Sequence, residues 1–401
     1  MNSSGRLPWG ACLLLFAATA LSFLDRQALS VLAPVITREF AMNSVAYSHV
    51  VFAFQLSYTI MFTAGGRVID RLGTRLGMAM ALGIWSLASA AHALVTGVPG
   101  LAGARFLLGF GEGGCFPGAT KGATEWFPQD KRALAIGVAN GGSALGAVAA
   151  PPIIALLANR FGWRSAFVAT GLLGAGWLVA WLTIAPRSQA VSRRVDGPGW
   201  KLLAQDRRLP WILLARFLFD PVFYFYMFWI PQYLSVRHKL SVDAIGAYYW
   251  IPFLSLGISQ VFSGKLSDVL VARGTPPVRS RLIWLGVAAA ATPVSWFASQ
   301  ASSIGWAIAL MATLTFVHGI WITNFLGLLG DLFPATVIGT VTGLTGTAGG
   351  IGGMLSTLAV GAIVDRFSYA PVFAVSGILY PLSFAVILAF CRDSEREAAS
   401  G

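Results

Sequence analysis

Apolar residues in this chain gather into runs of about 20 to 30, each closed by a short polar or charged stretch. The runs fall at about 9–37, 47–69, 77–96, 99–124, 132–158 and 164–185, then at about 209–235, 242–266, 282–299, 303–329, 337–364 and 370–391. A helix rises about 1.5 Å per residue, so about 20 apolar residues cross the hydrocarbon layer of a bilayer. The pattern predicts an all-α membrane protein of twelve transmembrane helices. The first run lies close behind Met1 and has the position of a secretory leader. No small-residue cleavage site follows it, and comparable runs do, so it reads as the first helix.

The longest polar stretch, residues 186–208, holds Arg187, Arg193, Arg194, Lys201, Arg207 and Arg208 and divides the runs six and six. The expected organisation is a six-helix bundle over 1–185, a cytoplasmic linker over 186–208 and a second six-helix bundle over 209–401. An internal repeat supports the division. At an offset of 206, Phe127 and Pro128 match Phe333 and Pro334, Gly137 and Gly146 match Gly343 and Gly352, and Arg160 and Phe161 match Arg366 and Phe367. Phe167 and Gly171 likewise match Phe373 and Gly377, while Gly66 and Asp70 match Gly264 and Asp268 at an offset of 198. Two parallel six-span repeats imply a site at their interface near the bilayer midplane.

Composition sharpens the class. Only 11% of the 401 residues are charged and 56% are hydrophobic, against about 25% charged in a soluble domain. Twelve spans leave room for loops and short tails, not for a soluble catalytic domain. The net charge of +12 invites a nucleic-acid reading, but its distribution argues against one. About 19 of the 28 Lys and Arg fall on one side of the predicted membrane. That bias places both termini in the cytoplasm and makes the basic balance a topology signal. Cys12, Cys115 and Cys391 each lie inside an apolar run and read as small buried side chains.

Ionisable residues inside the runs need a reason, because a charge at the bilayer centre costs about 2.5 to 3.5 kcal/mol even on the lenient insertion scale. Asp25 and Arg26 sit about 24 Å along the first span. Arg105 and Glu112 sit seven residues apart on nearly one face of the fourth. Two arginines and two carboxylates at comparable depth form a cluster that can be buried if its members pair. A guanidinium grips a carboxylate with two parallel hydrogen bonds, so Arg26 and Arg105 are expected anchors for an anionic substrate. Asp25 and Glu112 are expected proton-binding groups, competing with substrate for the arginines. The plainer reading is a permanent salt-bridge staple.

Arg216 and Asp220 are an i,i+4 pair near the cytoplasmic end of the seventh span and read as a local ion pair. The aromatic stretch 221–229, with Tyr226 and Trp229, reads first as packing. On the tenth span His318, Trp321 and Asn324 follow at i, i+3 and i+6, with His318 at the repeat position of Glu112. Neutral donors and acceptors at that depth suit hydroxyl recognition. Gln55 with Tyr58, and Asn140 with Ser143, are further polar pairs, of which Tyr58 is the best candidate. GFGEGG at 109–114 satisfies the dinucleotide pattern but lies in an apolar span instead of between strand and helix. Glycines four apart, such as Gly109 with Gly113 and Gly142 with Gly146, instead permit close helix contact. There is no zincin pair, nucleophile elbow or phosphate loop, so neither an enzyme nor a cofactor is expected.

The stretch GGRVIDRLGTR at 65–75 and its echo SGKLSDVLVARG at 263–274 resemble the loop signature of the major facilitator superfamily. The resemblance implies a conformational latch built from Asp70, Arg71, Arg75 and Asp268. SFLDRQALSVLAP at 22–34, RFLLGFGEGGCFPGATKGATEWFP at 105–128, RFLFDPVFYFYMFWIPQYL at 216–234 and HGIWITN at 318–324 narrow it to the anion:cation symporter family, and within that to the bacterial hexuronate transporters. It covers nearly the whole chain. Carried over, it makes Asp25 and Glu112 the proton-coupling residues. Arg26, Arg105, Tyr58, His318, Trp321 and Asn324 become substrate-binding residues. Cys115 departs from an asparagine of that subgroup, and Phe223 with Tyr224 from a tryptophan pair.

The expectation is thus a monomeric importer in a bacterial inner membrane that carries a small anionic substrate, a hexuronate above all, by proton symport. Its partners would be the substrate and the lipid bilayer, without nucleic acid. The alternatives are a transporter of another small carboxylate (an aldonate, aldarate or aromatic acid) or an organic-anion exchanger or exporter.

Overall fold

The computed structural model describes residues 8–186, 203, 205–333 and 337–391. Arg187, Arg193, Arg194 and Lys201 lie outside the described residues, as do the side chains of Asp70 and Cys391. The described residues form α-helices and two short 3-10 turns, with no strand. The first helices are α1 (Trp9–Glu39), α2 (Ser44–Leu72), α3 (Thr74–Ala91), α4 (Val98–Glu112), α5 (Cys115–Trp126), α6 (Gln129–Phe161) and α7 (Trp163–Ile184). After the polar stretch come α8 (Leu209–His238), α9 (Val242–Tyr248), α10 (Trp250–Ala272), α11 (Pro277–Ala291), α12 (Ser295–Gln300), α13 (Ile304–Leu332), α14 (Ile338–Arg366) and α15 (Ala370–Cys391).

Among the described residues, 11 helical segments are long and apolar enough to cross a membrane. The fourth apolar run is not among them, for a local reason. Gly113 and Gly114 form a turn between α4 and α5, so GFGEGG runs into a helix break and is not continuous helix as the sequence reading had it. Glu112 is the last residue of α4 and Cys115 the first of α5. Two adjacent glycines lower the helix propensity there, and a break in apolar surroundings is tolerated where the surrounding helices enclose it. Elsewhere the reversals are short. Gly73 (φ 79°) alone separates α2 from α3, and Gly162 (φ 82°) alone separates α6 from α7. Both adopt the left-handed backbone that glycine enters without steric cost. Asn43 starts α2 by accepting from the Ala46 amide at 2.8 Å.

Two compact units emerge. The first comprises residues 1–194 together with 230–250, and the second 195–229 together with 251–401. In the first unit, α1 and α6 lie in close contact along a seam of small residues. A Cβ at Gly142 would overlap the Phe16 carbonyl oxygen, and one at Gly146 that of Ala20. Thr19 Oγ1 donates to the Ala139 carbonyl at 2.8 Å, and Gln27 Nε2 to that of Ala147 at 3.0 Å. Small residues and interhelical hydrogen bonds hold helices together where the surroundings are too apolar for hydrophobic burial to do so. The segment 230–250 joins this unit through α9. Gly246 packs on Ala155 and the Pro151 carbonyl, and Tyr249, just beyond α9, hydrogen-bonds Ser30.

The internal repeat reappears as repeated contacts. Ser57 Oγ donates to the Phe106 carbonyl at 2.6 Å, and Ser255 Oγ to the Ala312 carbonyl at 2.8 Å. Those pairs are related by the same offsets of 198 and 206 read from the sequence. Ser89 donates to the Phe167 carbonyl, and Ser295 to that of Phe373. Gly113 abuts the Tyr58 carbonyl as Gly319 abuts that of Leu256, and Gly146 abuts Ala20 as Gly352 abuts Phe217. Each unit therefore uses one scaffold of serine hydroxyls and glycine notches.

Close approach at the α1–α6 seam makes a steric prediction. Gly146→Val will destabilise the protein by about 1 to 3 kcal/mol, whereas Gly141→Ala, where a Cβ meets nothing within 4 Å, will be neutral. Thermal unfolding of both variants in detergent checks the difference.

Candidate functional site

The first unit brings Asp25, Arg26, Tyr58, Arg105 and Glu112 into buried positions, each less than a tenth exposed. They do not form one merged cluster. Arg26 Nη2 pairs with Glu112 Oε2 at 3.0 Å. Ser22 Oγ donates to the same oxygen at 3.0 Å, and Arg26 Nη2 lies 3.4 Å from that hydroxyl. The guanidinium is walled by aromatic faces, with its carbon 4.4 Å from the Tyr58 ring centroid, 4.9 Å from Phe23 and 5.5 Å from Phe54. Glu112 Oε1 has no hydrogen-bond partner among the described residues. Cys115, directly after the break, is a buried free thiol within electrostatic reach of both charges.

Asp25 is held differently. Its Oδ1 accepts from Ser89 Oγ of α3 at 2.7 Å, and Ser89 in turn contacts Thr170 Oγ1 of α7 at 2.7 Å. Arg105 reaches the Asp25 backbone carbonyl, Nη1 to O at 3.5 Å, and not its carboxylate. The expected mutual pairing of two arginines with two carboxylates is thus realised as one ion pair and one hydroxyl-bound carboxylate. The physical reason is direction: adjacent helical residues diverge by about 100°, so Asp25 and Arg26 face different neighbours. Arg105 is fully enclosed, stands over the Phe167 ring at 5.6 Å, and leaves Nε and Nη2 without partners among the described residues. An unpaired donor in apolar surroundings costs about 1 to 3 kcal/mol, so this is where an added acceptor would recover the most.

The second unit has other chemistry at the matching places. Offsets of 197 and 206 carry Arg26 and Glu112 onto Phe223 and His318. There, an aromatic pair replaces the ion pair: the two rings stack at 4.5 Å with planes 7° apart. His318 Nδ1 contacts the Tyr380 hydroxyl of α15. Trp321 is fully buried against Tyr380 and Phe219, with ring centroids at 5.0 and 5.5 Å. Asn324 Nδ2 donates to the Ile320 carbonyl at 2.9 Å; among the described residues its Oδ1 has no partner, nor has Trp321 Nε1. Arg216 and Asp220 form the local pair read from their spacing, Nε to Oδ2 at 2.9 Å.

Of the latch residues, Arg71 is exposed at the end of α2, and Arg75 of α3 donates to the Leu182 carbonyl at the end of α7. Asp268 lies 3.4 Å from Arg281, which also reaches Asp331 at 3.3 Å. Among the described residues no three His, Cys, Asp or Glu converge as a metal site would require.

Sequence reasoning missed Ser22, Ser89, Thr170 and Tyr380. Ser22 was findable, standing four residues before Arg26 on one helical face. The other three come from helices remote in sequence and carry no spacing signal.

The sequence profile of the Major Facilitator Superfamily matches residues 15–357. The hexuronate transporter of Escherichia coli (strain K12) is 29% identical over 406 residues, covering 95% of this chain and 93% of that protein. The hexuronate transporter of Bacillus subtilis (strain 168) is 26% identical over 407 residues, covering 98% and 96%. A solved bacterial homologue of the human lysosomal transporter Spinster, inward-facing and occupied, aligns with a TM-score of 0.77 at 18% identity, covering 97% of this chain and 98% of that one. That last likeness is one of fold.

Removing one partner of a buried ion pair strands the other. Arg26→Met will lower stability by about 3 to 5 kcal/mol, and adding Glu112→Gln to it will restore most of the loss. Melting temperatures of the single and double variants at neutral pH check this; equal losses in both would show that the pair contributes nothing.

Proposed function

Because the chain belongs to the major facilitator superfamily, and is a multi-pass membrane transporter and not an enzyme, we propose that it imports a sugar acid, a hexuronate before others, by proton symport with alternating access. The observation that carries the reading is the enclosed Arg26–Glu112 pair beside a second carboxylate, Asp25, that is held by hydroxyls alone. A permanent staple needs one arginine and one carboxylate. Here a further arginine, Arg105, keeps two unpaired donors, which is the fork a carboxylate ligand fits. The relatives named as hexuronate transporters support the substrate class.

In this mechanism a proton arriving at Glu112 removes its charge and the Coulomb attraction that holds Arg26. The freed guanidinium, with Arg105, then grips the substrate carboxylate. Asp25 is the second proton-binding group, its hydroxyl partners accommodating either charge state. Tyr58, His318, Trp321 and Asn324 read the hydroxyl groups, a task for neutral donors and acceptors. No cofactor takes part, and H⁺ is the coupling ion.

We assign α4 and α5 together to one crossing, which brings the total to twelve, with both termini and the 186–208 linker in the cytoplasm and six helices in each of 1–185 and 209–401. The protein works as a monomer in a bacterial inner membrane, with Asp70, Arg71, Arg75 and Asp268 acting as a latch on the cytoplasmic side. A second reading, an aldonate, aldarate or aromatic acid as cargo, is favoured by Cys115 next to the ion pair and by Phe223 stacked on His318.

Proteoliposomes with an imposed inward proton gradient will accumulate labelled glucuronate or galacturonate, and an uncoupler will abolish the accumulation. Asp25→Asn and Glu112→Gln will each lose concentrative uptake while retaining exchange. If both variants still concentrate substrate, the coupling assignment is wrong.

A further inference from the structure

Tyr380 lies on α15 of the second unit and is 1% exposed. Its ring is enclosed by Trp321 (5.0 Å, 86°) and Phe219 (6.0 Å, 35°). Among the described residues its hydroxyl has one hydrogen-bond partner, Nδ1 of His318. Asp220, whose charge reaches Tyr380, is engaged with Arg216 through Oδ2. From this arrangement we propose that Tyr380 is a positioning residue that fixes His318 in the Nε2–H tautomer, so that the second unit presents a hydrogen-bond donor to the substrate at this point and not an acceptor.

The argument is one of protons. A phenol carries a single O–H, and a neutral imidazole one N–H. If Nδ1–H donated to the phenol oxygen, the O–H of Tyr380 would be left without an acceptor in an apolar enclosure. If the phenol donates to Nδ1, both groups are satisfied and the imidazole proton must reside on Nε2. No protein group among the described residues takes Nε2, and His318 keeps 5% exposure, so this nitrogen is what the side chain has left to offer a ligand. Phe223 stacked on the ring face at 4.5 Å holds its plane. Two χ freedoms and the tautomer are thereby set by neighbours on other helices.

The first unit uses the same logic with other residues. Ser89 and Thr170, on α3 and α7, orient Asp25 of α1 from behind. The tyrosine itself has no counterpart there: an offset of 206 carries Tyr380 back to Gly174, where a Cβ would collide with Ser86 Oγ. The donor is therefore peculiar to the second unit. A carboxylate or ring oxygen, as a sugar acid has, is the acceptor such a donor meets. This last clause rests on the sugar-acid reading; the tautomer does not.

The test uses the full-length protein labelled with [15N]histidine in lipid nanodiscs. His318→Gln identifies the His318 resonances among those of His49, His92 and His238. The parent is expected to show a protonated Nε2 and an unprotonated Nδ1 at neutral pH, and Tyr380→Phe to shift His318 to exchanging tautomers. In uptake assays with galacturonate, Tyr380→Phe will raise KM about fivefold or more with little change in the maximal rate, and will add nothing in the His318→Gln background. A parent His318 protonated at Nδ1, or ring shifts unmoved by Tyr380→Phe, overturns the proposal. So does a KM effect that persists in full without the histidine. The nuclear magnetic resonance arm needs no substrate, so a parent that ignores galacturonate would defeat the functional reading and leave the tautomer assignment to be decided by the shifts.

Discussion

Arg26 and Glu112 stand 3.0 Å apart, both buried, and a pair in that setting persists only while both partners are charged and together. The surroundings meet that condition through several contacts. Ser22 adds a hydroxyl to the shared oxygen. Three aromatic faces surround the cation and give it a polarisable wall in place of a hydration shell. The helices that carry the pair are drawn close by glycine: Gly109 and Gly113 let α4 settle against the backbone of α2, and Gly142 and Gly146 let α6 settle against α1. A single Cβ at those notches would push apart the segments whose spacing sets the ion-pair distance. The helix break at Gly113–Gly114 follows Glu112 directly, so the carboxylate sits at the chain end of α4 and not in the middle of a rigid rod.

The two units show how a duplicated scaffold is free to diverge in chemistry. The supporting contacts are the same in kind: serine hydroxyls on carbonyls at matched positions, and glycines against matched backbones. These contacts are between helices, and each is needed wherever two helices touch, so duplication preserves them. The groups that project from the inner helices face no such requirement. At the places of Arg26 and Glu112 the second unit has Phe223 and His318, and charge gives way to stacked rings. The Arg26–Glu112 pair is thus confined to the first unit, while the second keeps its own pair, Arg216 with Asp220, elsewhere on α8.

Side chains from neighbouring helices have a role beyond packing in both units. Ser89 and Thr170 restrain a carboxylate on α1, and Tyr380 restrains an imidazole on α13. A side chain with several rotamers loses entropy on binding a ligand. Restraint from behind removes that loss beforehand, which is the meaning of preorganisation for a transporter that must bind and release in every cycle.

The run of apolar and polar positions was enough to establish the helical class, the membrane setting and the repeat, because each depends on local composition and on spacing along the chain. The Arg216–Asp220 pair and the glycine seams followed from helical periodicity for the same reason. The family resemblance rested on short motifs that are likewise local. Tertiary structure decided the rest. That Arg26 pairs with Glu112 while Asp25 pairs with Ser89 depends on which faces of α1 meet α3 and α4, and four ionisable residues at similar depth admit several pairings. That GFGEGG ends a helix depends on neighbours able to enclose the exposed turn. That Tyr380 stands behind His318 joins residues 62 apart, on helices whose rotation no spacing rule encodes. Periodicity tells which residues share a face; only packing tells what the face meets.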